Sequence, residues 1–353
     1  MSTVSIGDFT TEAGAIIRDV HIAYQTWGER KEDNVILIEH ALTGDSDAVS
    51  WWAGLIGPGL AIDTDTFHVV CTNVLGGCKG STGPASEHPD GGRWGSRFPA
   101  ISIRDQVAAE HTALNKLGYQ HFAAVIGGSM GGARALEWCA MYPEAVRSAL
   151  ILAVSARASA WQIGIQMQQI NSIEQDPAWQ GGDYYDTGSA PLQGMGVARK
   201  LAHLTYRGEL EVDERFGADA QDGENPRGAF RAADQRFAVE SYLDHQAKKL
   251  AERFDPGSYV ILTEALNRHD IGRGRGGLNK ALANITVPVF VVGVDTDILY
   301  PYHQQEHLSR NLGNLLGMGK IVSPVGHDAF LTETRQLDQL TRRFFRLAGS
   351  LAS

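Results

Sequence analysis

Phe122-Ala-Ala-Val-Ile-Gly-Gly-Ser-Met-Gly-Gly132 is the stretch whose reading decides the fold. A short apolar run, Phe122 to Ile126, leads in, and a helix-like segment, Ala133 to Tyr142, leads out, with Pro143 as its stop. Strand, then G-x-S-x-G, then helix is the context of a nucleophile elbow, a sharp turn that lifts a serine hydroxyl above the end of a sheet. Such a turn forces Ser129 into a strained backbone conformation. It also leaves no room for side chains beside the serine, so glycines fill the flanking positions. The hydroxyl then sits at a helix N-terminus, where the dipole favours developing negative charge.

Working outward, short apolar runs recur between longer helical or loop segments. The pattern predicts strands at Val35–Ile38, Val69–Cys71, Ala123–Ile126, Ala149–Val154, Val289–Val292 and Ile321–Ser323. Most are apolar throughout and rich in β-branched residues, as expected of strands buried on both faces of a parallel sheet. Ala15–Gln25 reads as an earlier antiparallel pair. Helices are expected at Arg104–Leu117, Gly131–Tyr142 and Asp338–Leu347. This alternation points to an open α/β sheet. Residues 157–282 differ. They are poor in strand-like runs and carry helical segments at Trp161–Ile173, Val197–Tyr206 and Phe237–Arg253, with Gly-rich polar stretches at Gly217–Gly228 and Gly272–Gly277. The expected organisation is a core in two parts, 1–156 and 283–353, interrupted by a helical lid at 157–282.

The 353 residues are 43% hydrophobic and 20% charged, an ordinary globular composition with ample core. A net charge of −10 argues against non-specific binding to nucleic acid or anionic membranes. The N-terminus lacks the basic and apolar regions of a signal peptide, and no apolar stretch approaches a membrane span. Cys71, Cys78 and Cys139 are odd in number and form no CxxC, which fits a reducing cytoplasm with inert thiols. No His/Cys cluster has zinc-ligand spacing, so no metal is expected.

A serine hydroxyl needs a neighbouring base, and the base needs an orienting carboxylate. On this type of sheet the order along the chain is Ser, acid, His. Val289-Phe-Val-Val-Gly-Val294 is followed at once by Asp295-Thr-Asp297, and either aspartate could be the acid. Among twelve histidines, His327 in Ile321-Val-Ser-Pro-Val-Gly-His327-Asp328 follows a glycine at the end of a late strand, where the base should lie. A tetrahedral oxyanion also needs donors. The N–H of Met130 is one candidate. The N–H of Leu42, in Glu39-His-Ala-Leu-Thr-Gly44 after the third expected strand, is the other.

Together, His40-Ala-Leu-Thr-Gly44, Asn73-Val-Leu-Gly-Gly-Cys-Lys-Gly-Ser-Thr-Gly83, Gly127-Gly-Ser-Met-Gly-Gly132 and Gly326-His-Asp-Ala-Phe-Leu331 resemble the homoserine O-acetyltransferases, most closely the actinobacterial form. The resemblance runs from about Thr10 to Phe345. It implies the α/β-hydrolase fold, a mostly parallel sheet flanked by helices with a helical lid. It also implies acetyl transfer from acetyl-CoA to L-homoserine in methionine biosynthesis, no permanently bound cofactor, and a homodimer joined through the lid helices. The family's Asp-Ile-Leu-Tyr-Pro string falls on Asp297–Pro301, which selects Asp297 over Asp295 as the acid. The nucleophile falls on Ser129 and the base on His327. The family's carboxylate-binding arginine falls on Arg199 in Ala198-Arg-Lys-Leu-Ala-His-Leu-Thr-Tyr206, with Tyr206 two helical turns on and facing the same way. The acid that holds the substrate amine falls on Asp328.

The enzyme rivals are succinyl transfer, serine as acceptor, and plain ester hydrolysis. Succinyl transfer would need an extra cation near the acyl pocket, and Glu39–Gly44 contains no arginine. An esterase has no use for the charges of Arg199 and Asp328. A non-catalytic binding protein on this fold would be expected to lose one of the three catalytic side chains, and all three types are present.

Overall fold

The computed structural model describes residues 1–230, 232 and 234–349. Its strands are β1 (Ser2–Thr10), β2 (Ile16–Trp27), β3 (Val35–Glu39), β4 (His68–Thr72), β5 (Ala124–Gly128), β6 (Ala149–Leu152), β7 (Val289–Val294) and β8 (Leu315–Ile321). They form one sheet in the order β1-β2-β4-β3-β5-β6-β7-β8. β1 and β2 pair antiparallel, β2 runs antiparallel to β4, and from β4 to β8 every pairing is parallel.

The helices in chain order are α1 (Ala48–Trp51), α2 (Ile103–Lys116), α3 (Met130–Met141), α4 (Ala160–Glu174), α5 (Leu192–Tyr206), α6 (Glu209–Phe216), α7 (Ala238–Ala251), α8 (Pro256–Asn267), α9 (Leu278–Ala283), α10 (Tyr302–Asn311), α11 (Ala329–Thr332) and α12 (Thr334–Gly349). Local chemistry sets several starts. Ser102 and Asp105 close a capping box on α2, and Asp255 caps α8 ahead of Pro256.

Every residue of β3, β4, β5, β6 and β7 is buried, as their apolar runs require. Successive residues alternate between the faces. Leu37, Val125, Ile151 and Val291 enter a core shared with α2 and α3, while Ile36, Ile126, Leu150 and Val292 enter a second core with α12. Each such side chain contributes about 1.5–3 kcal/mol on burial.

Helices α4 to α9 all lie between β6 and β7 in the chain. The chain leaves and rejoins the sheet at a stitched stem, where Ala158 N–H donates to His269 O at 2.9 Å and Ile271 N–H to Ala156 O at 3.0 Å.

Two sequence expectations are corrected. The antiparallel pair does not lie within residues 15–25. Its first strand is Ser2–Thr10, whose inside-outside pattern is broken by bulges between Ser5 and Phe9. The last strand is Leu315–Ile321, overlapping the expected Ile321–Ser323 by one residue. Leu-Leu-Gly-Met-Gly-Lys-Ile hides it, because its two glycines read as breakers. They are there for packing: a Cβ would sit 2.9 Å from the Phe290 ring at Gly317 and 2.6 Å from Leu340 at Gly319. Helices α1, α6, α8, α9, α10 and α11 have no counterpart among the expected helices.

Candidate active site

The site is built where β5 turns into α3. Ser129 takes φ 56° and ψ −122°, a strained conformation for a residue with a side chain. Its N–H donates to Leu152 O at 3.0 Å, tying the elbow to β6. The turn is so tight that a Cβ on Gly131 would sit 2.0 Å from Glu39 O. The serine is 7% exposed, so its hydroxyl meets a cavity rather than bulk solvent.

His327 Nε2 lies 2.9 Å from Ser129 Oγ, and His327 Nδ1 lies 2.6 Å from Asp297 Oδ2. The other oxygen of Asp297 accepts from the N–H groups of Leu299 and Tyr300, each at 2.8 Å, so the carboxylate is held from both sides. Asp295 stands elsewhere: it accepts from Ser323 N–H at 3.1 Å and braces the loop that carries His327. Burial disfavours charge on the imidazole, but the Asp297 charge and hydrogen bond, with Asp328 nearby, outweigh it. The His327 pKa is therefore raised above its ordinary value. With Nδ1 donating to Asp297, Nε2 is free to accept the serine proton.

Leu42 lines the cavity beside Ser129. Met130 opens α3, and the first N–H groups of a helix have no acceptor within it. Met130 thus adjoins the nucleophile in the chain, and Leu42 shares its cavity. The Leu42 loop is fixed by His40, which donates from Nδ1 to Ala41 O at 2.8 Å and accepts at Nε2 from Val74 N–H at 3.0 Å. Burial, then the charge of Arg134, lowers the His40 pKa to about 4, which keeps the ring neutral and preserves both bonds.

Beneath the elbow lies a charge cluster that sequence reading missed. Arg134, on α3, is fully buried, with Nη2 at 2.6 Å from Glu39 Oε2 and 2.8 Å from Glu110 Oε1. Trp138 Nε1 donates to Glu110 Oε2 at 2.7 Å, and the Thr72 hydroxyl also donates to Glu110. Burial holds the Glu39 carboxyl well above its ordinary range, opposed by the charge of Arg134. The cluster bolts α3 to the ends of β3 and β4. Nothing local in the sequence announces it, since its members come from four separate elements.

Ser129, His327, Leu42, Arg199, Tyr206 and Asp328 all line one cavity of about 430 Å³. The Arg199 guanidinium carbon lies 5.5 Å from the centre of the Tyr206 ring, and among the described residues its buried Nε has no hydrogen-bond partner. Burial raises the Asp328 carboxyl above its ordinary range, opposed by His327, Arg199 and Arg207. The cap meets the His327 loop here: Asp328 N–H donates to Tyr206 O at 3.0 Å, and Gly208 N–H to Val325 O at 2.7 Å. Gly326 (φ 85°) allows that approach, for a Cβ on it would sit 2.7 Å from Gly208 N.

Lys249 and Arg253, from α7 and the turn after it, also line the cavity and were not foreseen. Arg253 Nη1 donates to Thr43 O at 2.7 Å. Glu39–Gly44 contains no arginine, yet the fold brings one to it from 210 positions away. The sequence argument against succinyl transfer is therefore overturned as an argument. A larger cavity, about 620 Å³ and lined by Lys200, Arg236 and Asp244, includes none of the Ser129 site residues.

A buried serine on a strand-to-helix elbow, paired to His and Asp from the loops after the last two strands, defines an α/β-hydrolase, and residues 34–334 match the family of that fold. Within it, the chain belongs to the homoserine O-acetyltransferases. It is 69% identical over 352 residues to the homoserine O-acetyltransferase of Corynebacterium efficiens, covering 98% of this chain and 93% of that protein. It is 55% identical to that of Nocardia farcinica, covering 99% and 93%. Among solved structures, a homoserine O-acetyltransferase from Bacillus anthracis superposes with a TM-score of 0.88 at 25% identity, covering 97% of this chain and 96% of that one. Esterase E22 matches with the same TM-score of 0.88 at 26% identity, covering 97% and 98%. Backbone shape alone therefore does not separate acyl transfer from hydrolysis. Among the described residues, no helix is long and apolar enough to cross a membrane.

Proposed function

We propose that the chain transfers the acetyl group of acetyl-CoA to the hydroxyl of L-homoserine through an acetyl-Ser129 intermediate, as a step of methionine biosynthesis in the cytoplasm. One observation carries the acceptor assignment: Arg199 and Asp328, of opposite charge, line the same cavity as Ser129. Those two charges suit the carboxylate and ammonium of an amino acid, and a planar guanidinium suits a carboxylate in particular.

His327 takes the Ser129 proton as the serine attacks the thioester carbonyl. Asp297 holds the imidazole in the required tautomer and stabilises the imidazolium. The oxyanion meets the N–H groups of Leu42 and Met130. Coenzyme A leaves as its thiol, protonated by His327. Homoserine then binds, its carboxylate on Arg199 beside Tyr206 and its ammonium on Asp328. His327 removes the proton from the homoserine hydroxyl, which attacks the acetyl-serine, and Ser129 is regenerated. The kinetics are ping-pong. Water is the competing nucleophile, and the cap of residues 157–282, between the core parts 1–156 and 283–353, shields the intermediate from it.

Thiol release from acetyl-CoA and succinyl-CoA, each with homoserine or serine, tests the reading. The expected result is fast release only with acetyl-CoA and homoserine, with intact mass rising by one acetyl group when the acceptor is withheld. Release that homoserine does not accelerate points instead to an esterase.

The same cap helices are proposed to join two copies of the chain. Trp161 and Met167 on α4, and Val197 and Leu204 on α5, are large apolar residues left exposed on two helices packed together. Sedimentation of Trp161→Glu/Leu204→Glu as a monomer, beside a dimeric parent, is the expected outcome.

A further inference from the structure

The chain turns from α5 to α6 beside Asp328, and the side chains at that turn form an arrangement that none of the catalytic steps uses. Arg207 closes α5 and Glu211 lies in the first turn of α6. The guanidinium is engaged by Glu211 along one edge: Nε donates to Oε2 at 3.0 Å, and Nη2 donates to Oε1. The remaining nitrogen, Nη1, faces Asp328 Oδ2 at 3.9 Å, beyond hydrogen-bond reach. All three side chains are largely buried, at 15%, 18% and 21% exposure, so their charges are only partly screened. The backbone holds the distance, because Tyr206 and Gly208, on either side of Arg207, are hydrogen-bonded to Asp328 and Val325.

We infer that Arg207 and Glu211 are positioning residues that set the affinity for the amino-acid acceptor. Glu211 withholds the guanidinium from Asp328. Both Asp328 oxygens then stay open to an ammonium group, while the nearby positive charge helps keep the carboxylate ionised. A guanidinium free to move by about 1 Å would form a charge-assisted bond to Asp328 and compete with the substrate amine for it. This inference rests on Asp328 as the ammonium partner. It predicts that selection of the acceptor can be altered without touching the acylation half-reaction, because neither Arg207 nor Glu211 lines the cavity at Ser129.

The test uses the full chain and reads the two half-reactions separately: the burst of thiol from acetyl-CoA, and the KM for homoserine. Glu211→Gln is expected to raise that KM by about tenfold and leave the burst within about twofold. Adding Arg207→Gln to Glu211→Gln removes the competing cation and is expected to recover most of the lost affinity. An unchanged KM in Glu211→Gln overturns the inference. So does a burst that falls in step with KM, which marks general damage to the cap, and so does a double variant no better than the single one. Asp328→Asn separates this inference from the reading beneath it. If Asp328→Asn raises KM while Glu211→Gln is silent, only the positioning role is lost. If Asp328→Asn leaves KM unmoved, the ammonium site itself is wrong.

Discussion

The sheet and the cap meet at one cavity and supply it with different kinds of groups. From the sheet come Ser129, His327 and Asp297, each buried and each held by hydrogen bonds. From the cap come Arg199, Tyr206, Lys249 and Arg253, longer side chains on helices that are partly solvent-exposed. Reactivity depends on fixed geometry and is housed in the rigid part. Choice of acceptor, in the reading proposed above, draws on charge from both parts: Arg199 on the cap and Asp328 on the loop after β8. Esterase E22 shares the backbone at a TM-score of 0.88, so shape is common to both.

Substitutions can break this division or sharpen it. The largest effect is expected from Ser129→Ala, which should lower kcat by about 10⁶-fold, with the melting temperature nearly unchanged. Retained acetyl transfer in that variant would remove the sheet from the chemistry. Asp297→Asn should lower kcat by about 10⁴-fold, because the imidazole loses its orienting acceptor. Arg134→Met tests the sheet side for stability rather than rate. It strands Glu39 and Glu110 in the core and should cost about 3–5 kcal/mol in denaturant unfolding. Arg199→Ala tests the cap side: homoserine KM should rise about 100-fold with an intact thiol burst, and a lost burst would show that the division is false.

The smallest effect is a displacement in pH. Acylation needs neutral His327, and Asp297 raises its pKa above the ordinary 6.5 despite burial. The rate should therefore fall as pH drops through a value above 6.5. In Asp297→Asn that acid limb should move to lower pH, measured as kcat/KM for acetyl-CoA.

The two regions also differed in how far the sequence revealed them. The elbow was legible because its constraint is local: backbone crowding within six residues admits only glycine. His327 and the Asp295/Asp297 pair were legible because loops at strand ends have a fixed order along the chain. Between the two aspartates, spacing was silent. Family resemblance pointed to Asp297, whose side chain stands against His327 while Asp295 braces Ser323. Arg253 on Thr43, the Arg134 cluster and the Arg207–Glu211–Asp328 arrangement were illegible for one reason. Each joins elements far apart in the chain, and a long-range contact leaves no periodic trace. β8 was misplaced towards Ile321–Ser323 because its glycines serve tertiary packing, which outweighs their poor strand propensity.

Among the described residues β8 pairs with β7 alone, at the edge of the sheet, and the loop after it delivers His327. In order of synthesis, the serine is made almost 200 residues before its base. A chain that stopped before β8 would therefore hold Ser129 without its base.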